Sequence, residues 1–288
     1  MSTCFHGTAT NIAEYRQQIQ EFEKRPPSSQ LERTKELSAQ NKLEMFFRGH
    51  KSENYKWTPS IFRDNGIENE AKVIKKCLLE YPAEFYGLTS DFDRLAKIQH
   101  YGGATRILDF SVDPLVALFM ACDYKGDGEC DNGTVAIYRA TYSDERELGV
   151  RCLAFLATYQ GKIDNIFFDR LREHLEENHS DEVLKNAMKQ HYFVIPRITN
   201  ERLRRQKGAF LIFGHDGSEQ KTISCLSEKL GRGDSYPGYI GYITIPAQCK
   251  KQIRKELQKE GITQKFLMPN IQKGFGEIVK NAKQKNTI

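Results

Sequence analysis

Apolar residues recur with helical spacing over 12–23 (IAEYRQQIQEFE), where Ile12, Tyr15, Ile19 and Phe22 share one side of an otherwise polar segment. RPPSSQ at 25–30 stops that helix, and a second is predicted over 31–38. The short apolar burst EMFFRG at 44–49 reads as a strand entering a turn. A helix follows over 69–85, with Pro82 disturbing its last turn. The segment 91–101 (DFDRLAKIQHY) puts Leu95, Ile98 and Tyr101 on one face, with Asp91 as N-cap and Gly102-Gly103 as its stop. Asp113-Pro114 then opens PLVALFMACDY, which is apolar nearly all round and so belongs at the centre of the fold.

GTVAIYRA (133–140), GAFLIFG (208–214) and GYIGYITIP (238–246) read as strands, and 247–260 and 270–286 as amphipathic helices. Residues 141–195 are charged and mostly helical, with few core anchors, the pattern of an insertion or lid. Strands interspersed with helices without regular βαβ spacing predict an α+β fold around a mixed or antiparallel sheet. The expected organisation is one domain: an N-terminal helical segment (1–43), a core (44–140 and 196–288) and a helical insertion (141–195).

Composition narrows the picture. With 288 residues, 39% of them apolar, the chain can bury one large core that carries an insertion. The net charge of +5 is unevenly spread: 248–288 holds ten basic residues against Glu256, Glu260 and Glu277, so a nearly neutral body of −2 carries a basic end of +7. No run of 18 apolar residues is present to span a membrane, and the first residues lack a charged-then-apolar signal pattern. The seven cysteines are scattered, without a C-x-x-C pair or zinc-like spacing, which predicts reduced thiols in a cytoplasmic protein and no metal. Phosphate-loop, HExxH and GxSxG signatures are absent.

Chemistry must then come from polar residues set into apolar stretches. In Phe46-Phe47-Arg48-Gly49, strand alternation puts Phe47 and Gly49 on one face and Arg48 on the other. Arg48 either bridges a core carboxylate or forks onto a substrate phosphate, with Gly49 letting the ligand approach the backbone. The run from Gln99 to Ser111 holds Gln99, His100, Thr105, Arg106, Asp109 and Ser111 around the double glycine. Its polar groups are read either as helix-end and capping groups, with Arg106 and Asp109 bridging each other, or as one preorganised pocket. In RLRRQKGAFLIF (202–213), Gln206 is either the polar cap of a basic helix end or an amide at a strand entrance that positions a ribose hydroxyl.

Together these segments resemble the FRG domain family, named for the triplet that stands here as Phe47-Arg48-Gly49. The resemblance continues through Trp57-x-Pro59 with Arg63, a Glu70-containing helix, QH-x-G-x-x-TR-x-LD-x-S at 99–111, the helix PLVALFMA, RLRRQKGAFLIFG at 202–214 and the closing pattern at 243–270. LMPN replaces the aspartate-bearing LFPD usual there, so Asn270 receives no role. A remoter resemblance is to ADP-ribosyltransferases.

Those resemblances imply a component of bacterial or phage conflict systems that binds an anionic nucleotide-type ligand, with NAD as co-substrate. Arg48 would hold an NAD phosphate or ribose, and Ser111 would line the nicotinamide side. Gly49, Gln99, His100, Thr105 and Arg106 would help to bind the dinucleotide, and Gln206 would stand where a glutamate is expected. A neutral amide cannot supply the charge that stabilises the departing state, which leaves Asp109 as the nearest acid. Two other classes compete with this ADP-ribosyltransferase-like or NAD-hydrolysing enzyme. One is a nucleic-acid-directed binder or nuclease with His100 as general acid/base; the other is a non-enzymatic module sensing a ligand or protein.

Overall fold

The computed structural model describes residues 5–25, 43–55, 57–62, 66–123, 131–221 and 239–268. Seven strands among them form one mixed sheet: β1 (Phe5–Thr8), β2 (Leu43–His50), β3 (Ile107–Ser111), β4 (Gly133–Ser143), β5 (Tyr192–Val194), β6 (Gly208–Ile212) and β7 (Tyr239–Ile245). The helices are α1 (Ile12–Glu23), α2 (Glu70–Glu80), α3 (Pro82–Phe85), α4 (Asp91–His100), α5 (Pro114–Ala121), α6 (Leu148–Thr158), α7 (Asn165–Leu175), α8 (Asp181–Lys189), α9 (Glu201–Arg205), α10 (Lys250–Lys259) and α11 (Gln264–Leu267). The α+β class and mixed sheet expected from the sequence are present.

Strand order is β1-β7-β4-β2-β3-β6-β5. With eleven residues, β4 is long enough for three neighbours: it pairs antiparallel with β2 and β7, and its end, Tyr142 and Ser143, pairs in parallel with Phe193 and Val194 of β5. That last pairing closes β4, β2, β3, β6 and β5 into a ring.

Side chains alternate across the sheet and sort the apolar residues into an inside and an outside. Phe46, Leu108, Phe110, Tyr138, Phe193 and Leu211 fill the ring, with Phe46 and Phe193 stacked at 4.2 Å. No residue of this inner cluster belongs to a described helix. Outside, Phe47, Val135, Ile137, Ile243 and Ile245 are packed by α1, α5, α10 and α11. Ile107, Phe210 and Ile212 meet a second helical layer that includes α2, α4, α6, α7 and α8.

Local chemistry sets the helix ends. Ser90 caps α4, its Oγ accepting the N–H groups of Phe92 at 3.1 Å and Asp93 at 3.4 Å, so Asp91 is the first helical residue and not the cap. Gly102 ends α4 with φ +85°, where a side chain would be strained. Pro82 starts α3 instead of disturbing α2, as its fixed φ suits a first turn. Asp113 caps α5 ahead of Pro114, accepting the Leu115 N–H at 2.9 Å.

The segment 141–195 is mostly helical, as expected, but it is no lightly anchored lid. Val150, Cys152, Leu153, Leu156, Phe167, Leu171 and Leu184 are among its fully buried residues, and β5 within it closes the ring. The helices expected over 31–38 and 270–286 lie outside the described residues. Among the described residues, no helix is long and apolar enough to cross a membrane. Burial pushes the thiol of Cys77 up to about 11 and those of Cys122 and Cys152 up to about 12, which keeps all three protonated at neutral pH.

Candidate functional site

Alternation along β2 turns Phe46, Arg48 and His50 to the inside and Met45, Phe47 and Gly49 to the outside. The pairing of β2 with β3 consists of one position, Phe47 opposite Ser111. Next to it, the Arg48 guanidinium takes the place of ladder bonds: Nη1 donates to the main-chain carbonyl of Asp109, and Nε donates to His50 Nε2 at 2.8 Å. The guanidinium carbon also lies 5.9 Å from the centre of the Phe110 ring. The His50 ring stacks on Trp57 at 4.2 Å, and Trp57 stands edge-on to Tyr138 at 6.4 Å and to Tyr242 at 6.2 Å. A cation and several flat rings therefore share the inner face at the β2 end. Such a set can pair with phosphate and stack with a base.

Gly49 does not open the backbone to a ligand. A Cβ there would stand 1.9 Å from the Ala117 carbonyl oxygen, so the glycine is what lets α5 lie against β2.

A second polar group occupies the outer face. Thr105 Oγ1 donates to Gln99 Oε1 at 2.7 Å, and Gln99 Nε2 donates to Asp109 Oδ2 at 2.8 Å, which fixes the carboxylate. His100 is 5% exposed and stands edge-on to Phe210 at 5.3 Å. Neither of its ring nitrogens has a hydrogen-bond partner among the described residues. Burial pushes its pKa down to about 4 against an upward pull from Asp109, and Arg202 adds to the lowering, so the ring is neutral at pH 7. Arg202 Nη1 donates to the His100 carbonyl, and burial lowers the pKa of this arginine too. A neutral imidazole beside an oriented carboxylate has the makings of a proton acceptor, but a substrate would have to open the packing to reach it.

Three other predicted residues are committed to the scaffold. Arg106 is 1% exposed and is clasped by Glu70, its Nε lying 3.0 and 3.1 Å from the two carboxylate oxygens. It does not bridge Asp109. Ser111 Oγ donates to the Gln206 main-chain carbonyl at 2.7 Å and accepts the Asp113 N–H at 2.9 Å. Gln206 is the C-cap residue of α9, and its Nε2 donates to the Leu267 carbonyl at 3.1 Å.

The three stretches singled out in the sequence are thus neighbours in the sheet, because β2, β3 and β6 adjoin. Their side chains divide between two faces. Arg48 points inward; Ser111, opposite Phe47, points outward with the Asp109 side chain. His50 belongs to no motif in the sequence, although its place two residues after Arg48 on a strand puts it on the same face. Arg202 was visible only as one charge of a basic cluster.

No curated protein and no solved structure matches the chain. Residues 43–129 match the model of the FRG domain, a stretch that contains β2, Trp57, the Gln99–Asp109 network and α5 but neither Arg202 nor Gln206. The chain thus resembles the FRG domain over that stretch, which is less than a third of its length.

Proposed function

We propose that the protein binds an anionic, nucleotide-type ligand on the inner face of the sheet, with Arg48 pairing to phosphate and the Trp57–His50 stack beside it receiving a base. The observation that carries this reading is the 4.2 Å stack of His50 on Trp57 one hydrogen bond away from the Arg48 guanidinium. Guanidinium and aromatic surfaces together suit the two ends of a nucleotide.

NAD is the ligand to try first, on the strength of the resemblance to ADP-ribosyltransferases, and the setting implied is a bacterial or phage conflict system. In ADP-ribosyl transfer or NAD hydrolysis the bond from ribose to nicotinamide breaks and positive charge develops on the sugar. Among the described residues that charge finds little help: Gln206 is neutral and its amide is bonded to Leu267, and the Asp109 carboxylate faces the other way. Binding is accordingly the primary property, and slow release of nicotinamide the accompanying one.

The test is calorimetric titration of the protein with NAD and with ADP, alongside an assay of nicotinamide release. Saturable binding of both that Arg48→Ala and Trp57→Ala abolish while the fold persists is the expected result. Failure of NAD and ADP alike to bind overturns the reading.

A further inference from the structure

We propose that the inner sheet face beyond the ring is a binding surface for single-stranded nucleic acid, whose unpaired bases stack along the rings of His6, Tyr242, Trp57 and Tyr55. The inference rests on the reading that Arg48 pairs with a nucleotide phosphate, and it names the class of molecule to which that nucleotide belongs.

Register carries the case. One straight row across four strands holds His6, Tyr242, Ala136 and Arg48, each opposite the next. The adjacent row on the same face holds Thr8, Thr244, Thr134 and His50. Three steps of about 4.8 Å make the first row about 14 Å long, more than one nucleotide needs. Its middle member is small: Ala136 leaves room for Trp57, whose indole meets Tyr138, Tyr242 and His50 around it. His6 stacks on Tyr242 at 5.7 Å, and His50 lies 6.1 Å from Tyr55. The rings therefore follow one another without a break from β1 to the segment after β2.

The chemistry of this surface fits an unpaired strand. Neither row contains a carboxylate, whereas Arg48 lies at one end and the Lys51 amine 5.9 Å from the Tyr55 ring. His6 is exposed, Tyr55 is 48% exposed, and Trp57 and Tyr242 are half-buried, so ring surface is left for a base; His50, 7% exposed, backs the Trp57 ring. The threonine row offers hydroxyls to sugars and phosphates. A duplex hides its base faces and could use only the cations, while a dinucleotide has two bases for four accessible rings.

The experiment uses the full chain and three probes: a fluorescein-labelled oligothymidylate of about twelve nucleotides, the same strand annealed to its complement, and ADP. Expected is saturable binding of the single strand, at least about tenfold tighter than the duplex and than ADP. His6→Ala removes an exposed ring without touching the core and should weaken strand binding by about 5- to 150-fold, as loss of one stacked base does. Tyr242→Leu, which keeps the apolar contact with the inner cluster, should do the same. ADP binding with no tighter binding of the strand, equal affinity for strand and duplex, or strand binding indifferent to both variants overturns this inference and leaves the nucleotide reading standing. If neither ADP nor the strand binds, both fall.

Discussion

Ser111 and Gln206 are joined by a hydrogen bond from Ser111 Oγ to the Gln206 main-chain carbonyl, 2.7 Å long, which ties the end of β3 to the entrance of β6. The same hydroxyl accepts the Asp113 N–H at 2.9 Å, so it also sets the start of α5. Both residues are buried, at 4% and 9% exposure, and both are satisfied by the scaffold. Ser111→Ala should therefore lower the unfolding free energy by about 1–3 kcal/mol, the cost of leaving buried backbone groups unpaired, with nucleotide affinity unchanged. Gln206→Glu should not create a glutamate-bearing active site. It turns a carboxylate oxygen toward the Leu267 carbonyl and should destabilise by a similar amount without faster nicotinamide release. Urea unfolding and the nicotinamide assay together read both outcomes; a large gain in release by Gln206→Glu would restore the transferase arrangement expected from the sequence.

Arg106 and Glu70 invite a different test. Their pair is buried at 1% and 0% exposure and pins the first residue of α2 to the chain just before β3. Removing one partner strands a charge in the interior, so Glu70→Leu should cost about 3–5 kcal/mol. Glu70→Leu with Arg106→Met removes both charges and should recover most of that loss. Chemical denaturation of the single and double variants measures it, and additive losses would contradict a coupled pair.

Gly49 offers a third. The Ala117 carbonyl that a Cβ would meet is backbone held within α5, and the Ala121 nitrogen is 2.7 Å from the same point, so neither can swing away. Gly49→Ala should destabilise by at least about 1–3 kcal/mol through forced separation of α5 from β2. An alanine variant as stable as the parent, read by thermal unfolding, would mean that α5 does not press on β2 at Gly49.

Much of this fold could be read from local pattern. The strands β2, β4, β6 and β7 and the helices α1, α4 and α5 announce themselves by periodicity, by Asp113-Pro114 and by Gly102-Gly103. β1 and β5 did not, because four and three residues are too few for alternation to show. The segment 141–195 looked peripheral because its charges mask a buried side that becomes visible only once α6 and α7 pack against α4 and β6. For the site, alternation within one strand correctly separates Arg48 from Phe47. Whether Arg48 and Ser111 share a face depends on the register between strands, and the bridge of Phe47 with Ser111 decides it in a way no local pattern encodes.

Acid should reveal opposing buried groups. His100 and His191 are held neutral by burial, with pKa values down to about 4 from 6.5. Each contributes stability that is fully present above pH 6.5 and is lost as pH falls through about 4, because the unfolded chain takes up the proton first. Asp93 acts the other way. Burial chiefly, and then Glu145, raise its pKa from 3.8 to about 6, against the pull of Arg197, 3.5 Å away, and of Arg94. Its contribution is present below pH 3.8 and is lost as pH rises through about 6. Each group is worth on the order of 2–3 kcal/mol over its window. Between pH 6.5 and 4.5 the aspartate thus offsets about one of the two histidines, and the parent protein should lose stability gently on acidification. His100→Gln should flatten that slope and Asp93→Asn should steepen it, both measured as urea unfolding free energy against pH. An Asp93→Asn profile superimposable on the parent's would show that this carboxyl titrates as it does in the unfolded chain.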